Sequence, residues 1–143
     1  MSPKLGVVVA ELNPRVTGRM LEFLLKEVAK FDAEVVHVCK VPGLLEAPLF
    51  VKELLKKEDV QAVIVLGSIV KETSLEDFIF NQVISKLIDL SLTFEKPVTF
   101  GIAGPGIYWS ESLSRVGAEE YARMALLAAL ESLKGIEELR KSL

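Results

Sequence analysis

Leu5-Gly6-Val7-Val8-Val9-Ala10 decides the architecture. The run is apolar and largely β-branched with no polar alternation, so it reads as a strand covered on both faces. Glu11-Leu12-Asn13-Pro14 breaks it. Beyond the break, Val16, Met20, Phe23, Leu24, Val28 and Phe31 recur at spacings of three, four and seven, the period of an amphipathic helix. The same alternation repeats along the chain. A second strand is expected at 34–39, a turn at Val41-Pro42-Gly43, and a helix with Pro48 in its first turn running to about Lys57. A third strand at 62–66 stops at Gly67, and a long helix at about 74–94 ends before Lys96-Pro97. A fourth strand at 98–102 leads through Ala103-Gly104-Pro105-Gly106 into a last helical region at about 110–133, with an interruption expected near Gly117.

Apolar strands alternating with helices predict an α/β fold. It is a three-layer αβα arrangement around a four-stranded, mainly parallel sheet with right-handed crossovers. The connections are short, no linker or repeat interrupts them, and residues 1–143 read as a single domain. Residues 1–4 are expected to be free to pair elsewhere.

Composition narrows the function classes. Half of the residues are hydrophobic and a quarter charged, and the mean hydropathy is +0.38. Disorder is excluded, because it needs low hydrophobicity with high net charge. A net charge of −3 leaves no basic footprint for nucleic acid. No apolar run reaches the roughly 18 residues of a membrane span, and Lys4 and Glu11 sit where a signal peptide would be apolar, so a cytoplasmic chain is expected. Cys39 is the single cysteine and His37 the single histidine, too few for a zinc site. The apolar excess suggests a surface buried against other copies of the chain.

In parallel sheets of this kind ligands bind at the carboxyl ends of the strands. Four segments meet there: residues 11–13, 41–48, 67–73 and 101–106. They carry no G-x-G-x-x-G, no G-x-x-x-x-G-K-[ST] and no G-x-S-x-G, which argues against dinucleotide binding and hydrolase chemistry. Glu46 is placed to accept hydroxyl bonds from a polyol, or else it is a helix-start carboxylate favoured by the macrodipole. Glu72-Thr73-Ser74 opens the long helix, where exposed amides suit a phosphate and where Thr73 or Ser74 with Glu76 or Asp77 equally makes ordinary capping. Arg115 is either a bidentate phosphate clamp or a solvated arginine. His37 reads as a strand-packed or edge histidine, and Tyr108 and Trp109 as core or contact residues.

Taken together, the blocks Ala10-Glu11-Leu12-Asn13, Val41-Pro42-Gly43-x-x-Glu46-x-Pro48, Gly67-x-x-x-x-Glu72-Thr73, Lys96-Pro97-Val98-Thr99-Phe100-Gly101 and Gly104-Pro105-Gly106 stand in one order. In that order and spacing the chain resembles the lumazine synthase family, above all its short archaeal-type members, from Leu5 to about Leu133. The resemblance implies a flavodoxin-like fold and a step of riboflavin biosynthesis. There, 5-amino-6-ribitylamino-uracil and 3,4-dihydroxy-2-butanone 4-phosphate condense to 6,7-dimethyl-8-ribityllumazine, phosphate and water. It implies no metal or organic cofactor, small-molecule substrates, and homopentamers or shells of twelve pentamers with active sites between neighbouring subunits. It places Asn13, Glu46 and Phe100 at the pyrimidine and ribityl chain. Glu72, Thr73 and Arg115 fall at the butanone phosphate.

The chain departs from the family pattern at several of these points. The family reads Gly-Glu-Thr-x-His, and its His is thought to move protons. Here Lys71-Glu72-Thr73-Ser74-Leu75 lacks the Gly and puts Leu75 at the His position, or Glu76 if no gap is taken. Two pocket aromatics become Leu12 and Leu45, and the basic residue beyond the arginine falls at Glu119 or Glu120. Three functions therefore remain open at this level. They are the synthase itself, a catalytically impaired paralogue acting as a binding or shell-forming protein, and a riboflavin synthase of the archaeal kind. Lumazine formation from both substrates discriminates between them.

Overall fold

The computed structural model describes residues 2–69, 73–103 and 111–142, and of 111–116 the backbone alone. Strands β1 (Lys4–Ala10), β2 (Glu34–Val41), β3 (Ala62–Ser68) and β4 (Val98–Ala103) form one parallel sheet in the order β2-β1-β3-β4. Helices α1 (Pro14–Glu27) and α4 (Glu111–Lys141) cover one face, and α2 (Ala47–Leu55) and α3 (Leu75–Phe94) the other. The three-layer αβα arrangement expected from the sequence is the one observed.

The two-sided burial of β1 and β3 builds two cores. Leu5, Val7, Val9, Ile64 and Leu66 point to the α1/α4 side, where Val16, Met20 and Leu24 meet them. Val8, Val63 and Val65 point to the other, against Val51, Leu54, Val83 and Leu87. Each fully buried side chain of this size contributes about 1.5–3 kcal/mol, so the two central strands anchor both layers.

Local chemistry sets the ends of the helices. Asn13 precedes α1 and Pro14 opens it, where the missing proline N–H costs nothing. After Glu27 the helix tightens into a 3₁₀ turn, Val28–Phe31, and Asp32 closes it in the left-handed region at φ 53°. Glu95 ends α3 in the same conformation at φ 55°; its carbonyl accepts a bond from Arg140 Nη2 at 3.2 Å. Lys96 Nζ donates to the carbonyls of Leu55 and Lys57 at 2.8 and 3.0 Å, closing the exit of α2.

Several boundaries differ from the expectation. β2, β3 and β4 run on to Val41, Ser68 and Ala103, because pairing with a neighbour carries a strand past the end of its apolar run. The break near Gly117 does not occur: α4 is continuous to Lys141. Ala118, Ala122, Ala125 and Ala129 make a buried small-residue stripe that holds the helix flat on β4, overriding the glycine's poor helix propensity. The amino-terminal segment is also tied down. Pro3 carbonyl accepts from Glu34 N at 2.9 Å, Lys4 N donates to Gln61 Oε1 at 2.8 Å, and Lys4 carbonyl accepts from Gln61 N at 2.8 Å.

Candidate functional site

The chain leaves β1 for β2 on one side and reaches β3 and β4 on the other, so the sheet order reverses between β1 and β3. A crevice at the carboxyl ends of these two strands is the general binding place of such sheets. Their pairing ends at Val9 with Leu66; Glu11 then turns away and donates its N–H to the Val41 carbonyl at 2.9 Å. Gly67 lies at this point, where a Cβ would come within 2.8 Å of Leu44 Cδ2 and displace that side chain.

Asn13 is half-buried beside this crevice. Its carbonyl accepts the N–H groups of Val16 and Thr17, both at 3.0 Å, while its side chain makes no capping bond. Glu46 ends a 3₁₀ turn, Leu44–Glu46, at the mouth of β2 and is exposed; its N–H donates to the Gly43 carbonyl at 3.3 Å.

Thr73 stands before α3, and both of its hydrogen-bond donors are engaged. The N–H gives to Glu76 Oε1 at 2.9 Å and the hydroxyl to Glu76 Oε2 at 2.7 Å, while the same hydroxyl accepts from Leu75 N at 3.1 Å. This is a capping box, the structural member of the two readings offered by the sequence. A chain carboxylate thus holds the amide that suits an anion. Leu75 beside it is 59% exposed. Glu72, the side chain of Arg115, Tyr108, Trp109 and the Gly104-Pro105-Gly106 loop lie outside the described residues.

Phe100 is elsewhere. It sits mid-strand on β4, opposite Val65, and is 41% exposed. β2 and β4 are the two edges of the sheet, about 14 Å apart at the ordinary strand spacing. Asn13 and Glu46 thus follow the carboxyl ends of β1 and β2, while Phe100 lies within the edge strand β4.

The remaining polar groups are committed elsewhere. His37 faces Gly6 in the amino half of the sheet and bonds Asp59 Oδ2 through Nε2 at 3.0 Å, as expected of an edge histidine. A hydrogen bond from Lys56 holds Glu53 below the usual carboxylate range, and one from Lys141 does the same for Glu137, both on helix surfaces. Glu119 and Glu120 are exposed on α4, and Arg123 stacks over Phe23 at 5.1 Å. Among the described residues no three His, Cys, Asp or Glu side chains cluster as a metal site would need, and no helix is long and apolar enough to cross a membrane.

Two open grooves, of about 530 and 660 Å³, lie at the amino end of the sheet around Lys96, Pro97, Ile136 and Arg140. Lys96 and Arg140 already serve the carbonyls that end α2 and α3.

With the fold and strand ends placed, comparison with known proteins becomes decisive. A family model described as 6,7-dimethyl-8-ribityllumazine synthase matches residues 2–137. The chain belongs to this family. Proteins of that name from Metallosphaera sedula and Saccharolobus solfataricus are 41% and 40% identical to it over 139 residues, 96% of this chain and 91% and 89% of theirs. One from Pyrobaculum calidifontis is 42% identical over 129 residues, 90% of this chain and 85% of its own.

Within the segment 67–73 of this lumazine synthase fold, the polar group not singled out from the sequence is Ser68. It is 1% exposed at the end of β3, and its hydroxyl has no hydrogen-bond partner among the described residues. Its signal was a lone serine closing an otherwise apolar strand.

Proposed function

We propose that this chain is a lumazine synthase of riboflavin biosynthesis. It condenses 5-amino-6-ribitylamino-uracil with 3,4-dihydroxy-2-butanone 4-phosphate and releases phosphate and water. The observation that carries the reading is the family match along nearly the whole chain, on a four-stranded parallel sheet of the order β2-β1-β3-β4.

The chemistry suits a positional catalyst. An amine and a ketone condense once held together, and correct orientation alone supplies about 7–11 kcal/mol in well-aligned systems. Asn13 and Glu46 take the pyrimidine and ribityl groups, since an amide side chain and a carboxylate offer the donor and acceptors these need. Thr73, Glu72 and Arg115 take the phosphate at the start of α3. Incubating the protein with both substrates and following lumazine absorbance tests the activity. Turnover above the uncatalysed reaction is expected, and a rate equal to background would leave only a binding or shell-forming role.

Phe100 joins the site from a second copy. Its edge strand, together with the exposed Leu12, Leu45, Leu49, Phe78 and Phe50, supplies the apolar surface for a homopentamer or a shell of pentamers. Light scattering should give a mass that is five times 15.8 kDa or a multiple of it. A monomer at micromolar concentration would refute the assembly.

Phosphate must displace the Glu76 carboxylate from Thr73. Glu76→Gln removes a competing charge at a helix start, where one charge is worth about 0.3–1 kcal/mol. Inorganic phosphate should inhibit this variant with an affinity about two- to fivefold tighter than the native protein. Equal inhibition would place the phosphate away from α3.

A further inference from the structure

We propose that Thr17 is a positioning residue of the synthase site, its buried hydroxyl holding Asn13 in the orientation in which Asn13 takes the ribitylamino substrate. The proposal rests on the synthase reading above, and within it on Asn13 as a substrate contact. It adds a residue inside α1, away from the loops that follow the strands.

The joint between β1 and α1 departs twice from what local chemistry favours. The first departure is at Asn13. Asparagine is among the best residues for capping a helix start, where its side-chain oxygen accepts a first-turn N–H. Here it stands immediately before α1, yet its side chain makes no capping bond. No acidic residue in the first turn takes over that task.

The second departure is at Thr17. It is 1% exposed, in the stretch where Val16, Met20 and Leu24 turn to the core. A β-branched hydroxyl residue is a poor helix former, and a buried hydroxyl is costly unless bonded. Burial and helix propensity alone favour an unbranched apolar side chain at such a position. The hydroxyl donates to the Asn13 carbonyl at 3.2 Å.

The two departures meet on one atom. The Asn13 carbonyl oxygen takes the N–H groups of Val16 and Thr17, both at 3.0 Å, and the Thr17 hydroxyl as well. On the other side, the Glu11 N–H donates to the Val41 carbonyl at 2.9 Å and fixes the start of the same turn to β2. The Asn13 backbone is thus held from both directions, and the backbone sets the direction in which a side chain leaves. A side-chain cap would turn the Asn13 amide back over the first turn of α1. The Thr17 bond fixes the joint from within the helix, without drawing on that amide. An amide offers a donor and an acceptor, the pair that a pyrimidine edge or a ribityl hydroxyl needs. The butanone phosphate, assigned to the start of α3, is not served by this joint.

The test uses the full-length protein with Thr17→Val, Thr17→Ser, Asn13→Ala and the double variant of Thr17→Val with Asn13→Ala. Each is titrated calorimetrically with 5-amino-6-ribitylamino-uracil alone, and each substrate's KM is measured with the other saturating. Thr17→Val keeps the shape and removes the hydroxyl. It should raise the Kd and KM of the ribitylamino substrate about three- to tenfold, the worth of one hydrogen bond. The butanone phosphate KM should stay native and kcat within about twofold. Thr17→Ser keeps the hydroxyl and should bind as the native protein does. In the Asn13→Ala background Thr17→Val should have no further effect, because residues that act as one unit are not additive. Should Thr17→Val not fold, Thr17→Ala carries the same comparison. Native binding by the hydroxyl-free variant, equal weakening for both substrates, failure of Thr17→Ser to restore binding, or an additive loss in the double variant would each overturn the proposal.

Absence of turnover by the native protein would fell the synthase reading alone. The titrations then decide for Thr17. A Kd weakened in Thr17→Val and restored in Thr17→Ser sustains the proposal, and an equal Kd, or no binding by the native protein, overturns it.

Discussion

Gly101→Val will unfold this protein at a temperature about 6–12 °C lower than the native chain, a loss of about 3 kcal/mol or more for a domain of this size. The cause is a backbone collision. A Cβ at Gly101 would stand 2.6 Å from the carbonyl oxygen of Tyr121, closer than real Cβ atoms come, and a helix backbone cannot rotate away as a side chain does. Nearby, Thr99 Oγ1 donates to the Ala125 carbonyl at 2.8 Å, so α4 is bonded to β4 as well as packed on it. Pushing the helix outward therefore breaks that bond and opens voids beside Ala118, Ala122 and Ala125. Gly135→Ala in the same helix is the control. Nothing stands within 4 Å of a Cβ there, and the better helix former should stabilise by about 0.5–1 kcal/mol. Thermal unfolding of both variants checks the argument; an unchanged melting temperature for Gly101→Val would mean that α4 is not seated on β4.

This contact shows which parts of the molecule could be read from the chain. The strand and helix alternation was legible because it is a matter of period. β1 and β3 are apolar throughout, and that is what two covered faces require. The strand ends were less legible. Ser68 and Ala103 extend β3 and β4 only because each pairs with the other, a fact of register and not of propensity. The continuity of α4 through Gly117 was hidden for a related reason, since a glycine breaks a helix or not according to what the helix lies on. The tie of Pro3 and Lys4 to Glu34 and Gln61 joins segments far apart in sequence, beyond any local pattern.

The candidate site divides in the same way. Asn13 and Glu46 were placed by counting from the ends of strands, and the strands put them at the carboxyl edge. The spacing of Thr73 and Glu76 announced a cap, and the cap is formed. Phe100 could not be located by such counting, because its distance from Glu46 follows from the strand order β2-β1-β3-β4, with β2 and β4 outermost. Ser68 gave the least warning. A hydroxyl without a partner is recognisable only once every neighbour has been accounted for.

Leu75→His will raise turnover, and the gain should approach 100-fold, the lower end of general acid–base catalysis. The gapped reading of the family resemblance puts Leu75 at the His position (the ungapped one puts Glu76 there); Leu75 is 59% exposed and donates its N–H to the Thr73 hydroxyl, so an imidazole there would sit beside the group proposed to hold the phosphate. The condensation needs protons moved from the amine and toward the departing water. A hydrocarbon side chain can do neither. The native histidine cannot substitute. His37 is bonded to Asp59 and lies four residues before the end of β2, about 13 Å down the strand from the carboxyl edge. The native pH–rate profile should consequently lack a step near the ordinary imidazole pKa of about 6.5, and the variant should acquire one. The substitution costs little in stability, because an exposed leucine in the first turn of α3 buries little surface. Stopped-flow measurement of lumazine formation across pH tests both halves. A faster variant with a new pH step shows that the native site already holds its substrates and lacks only the base. If turnover stays at the native level while fold and assembly persist, proton transfer does not limit this enzyme and positioning carries its rate.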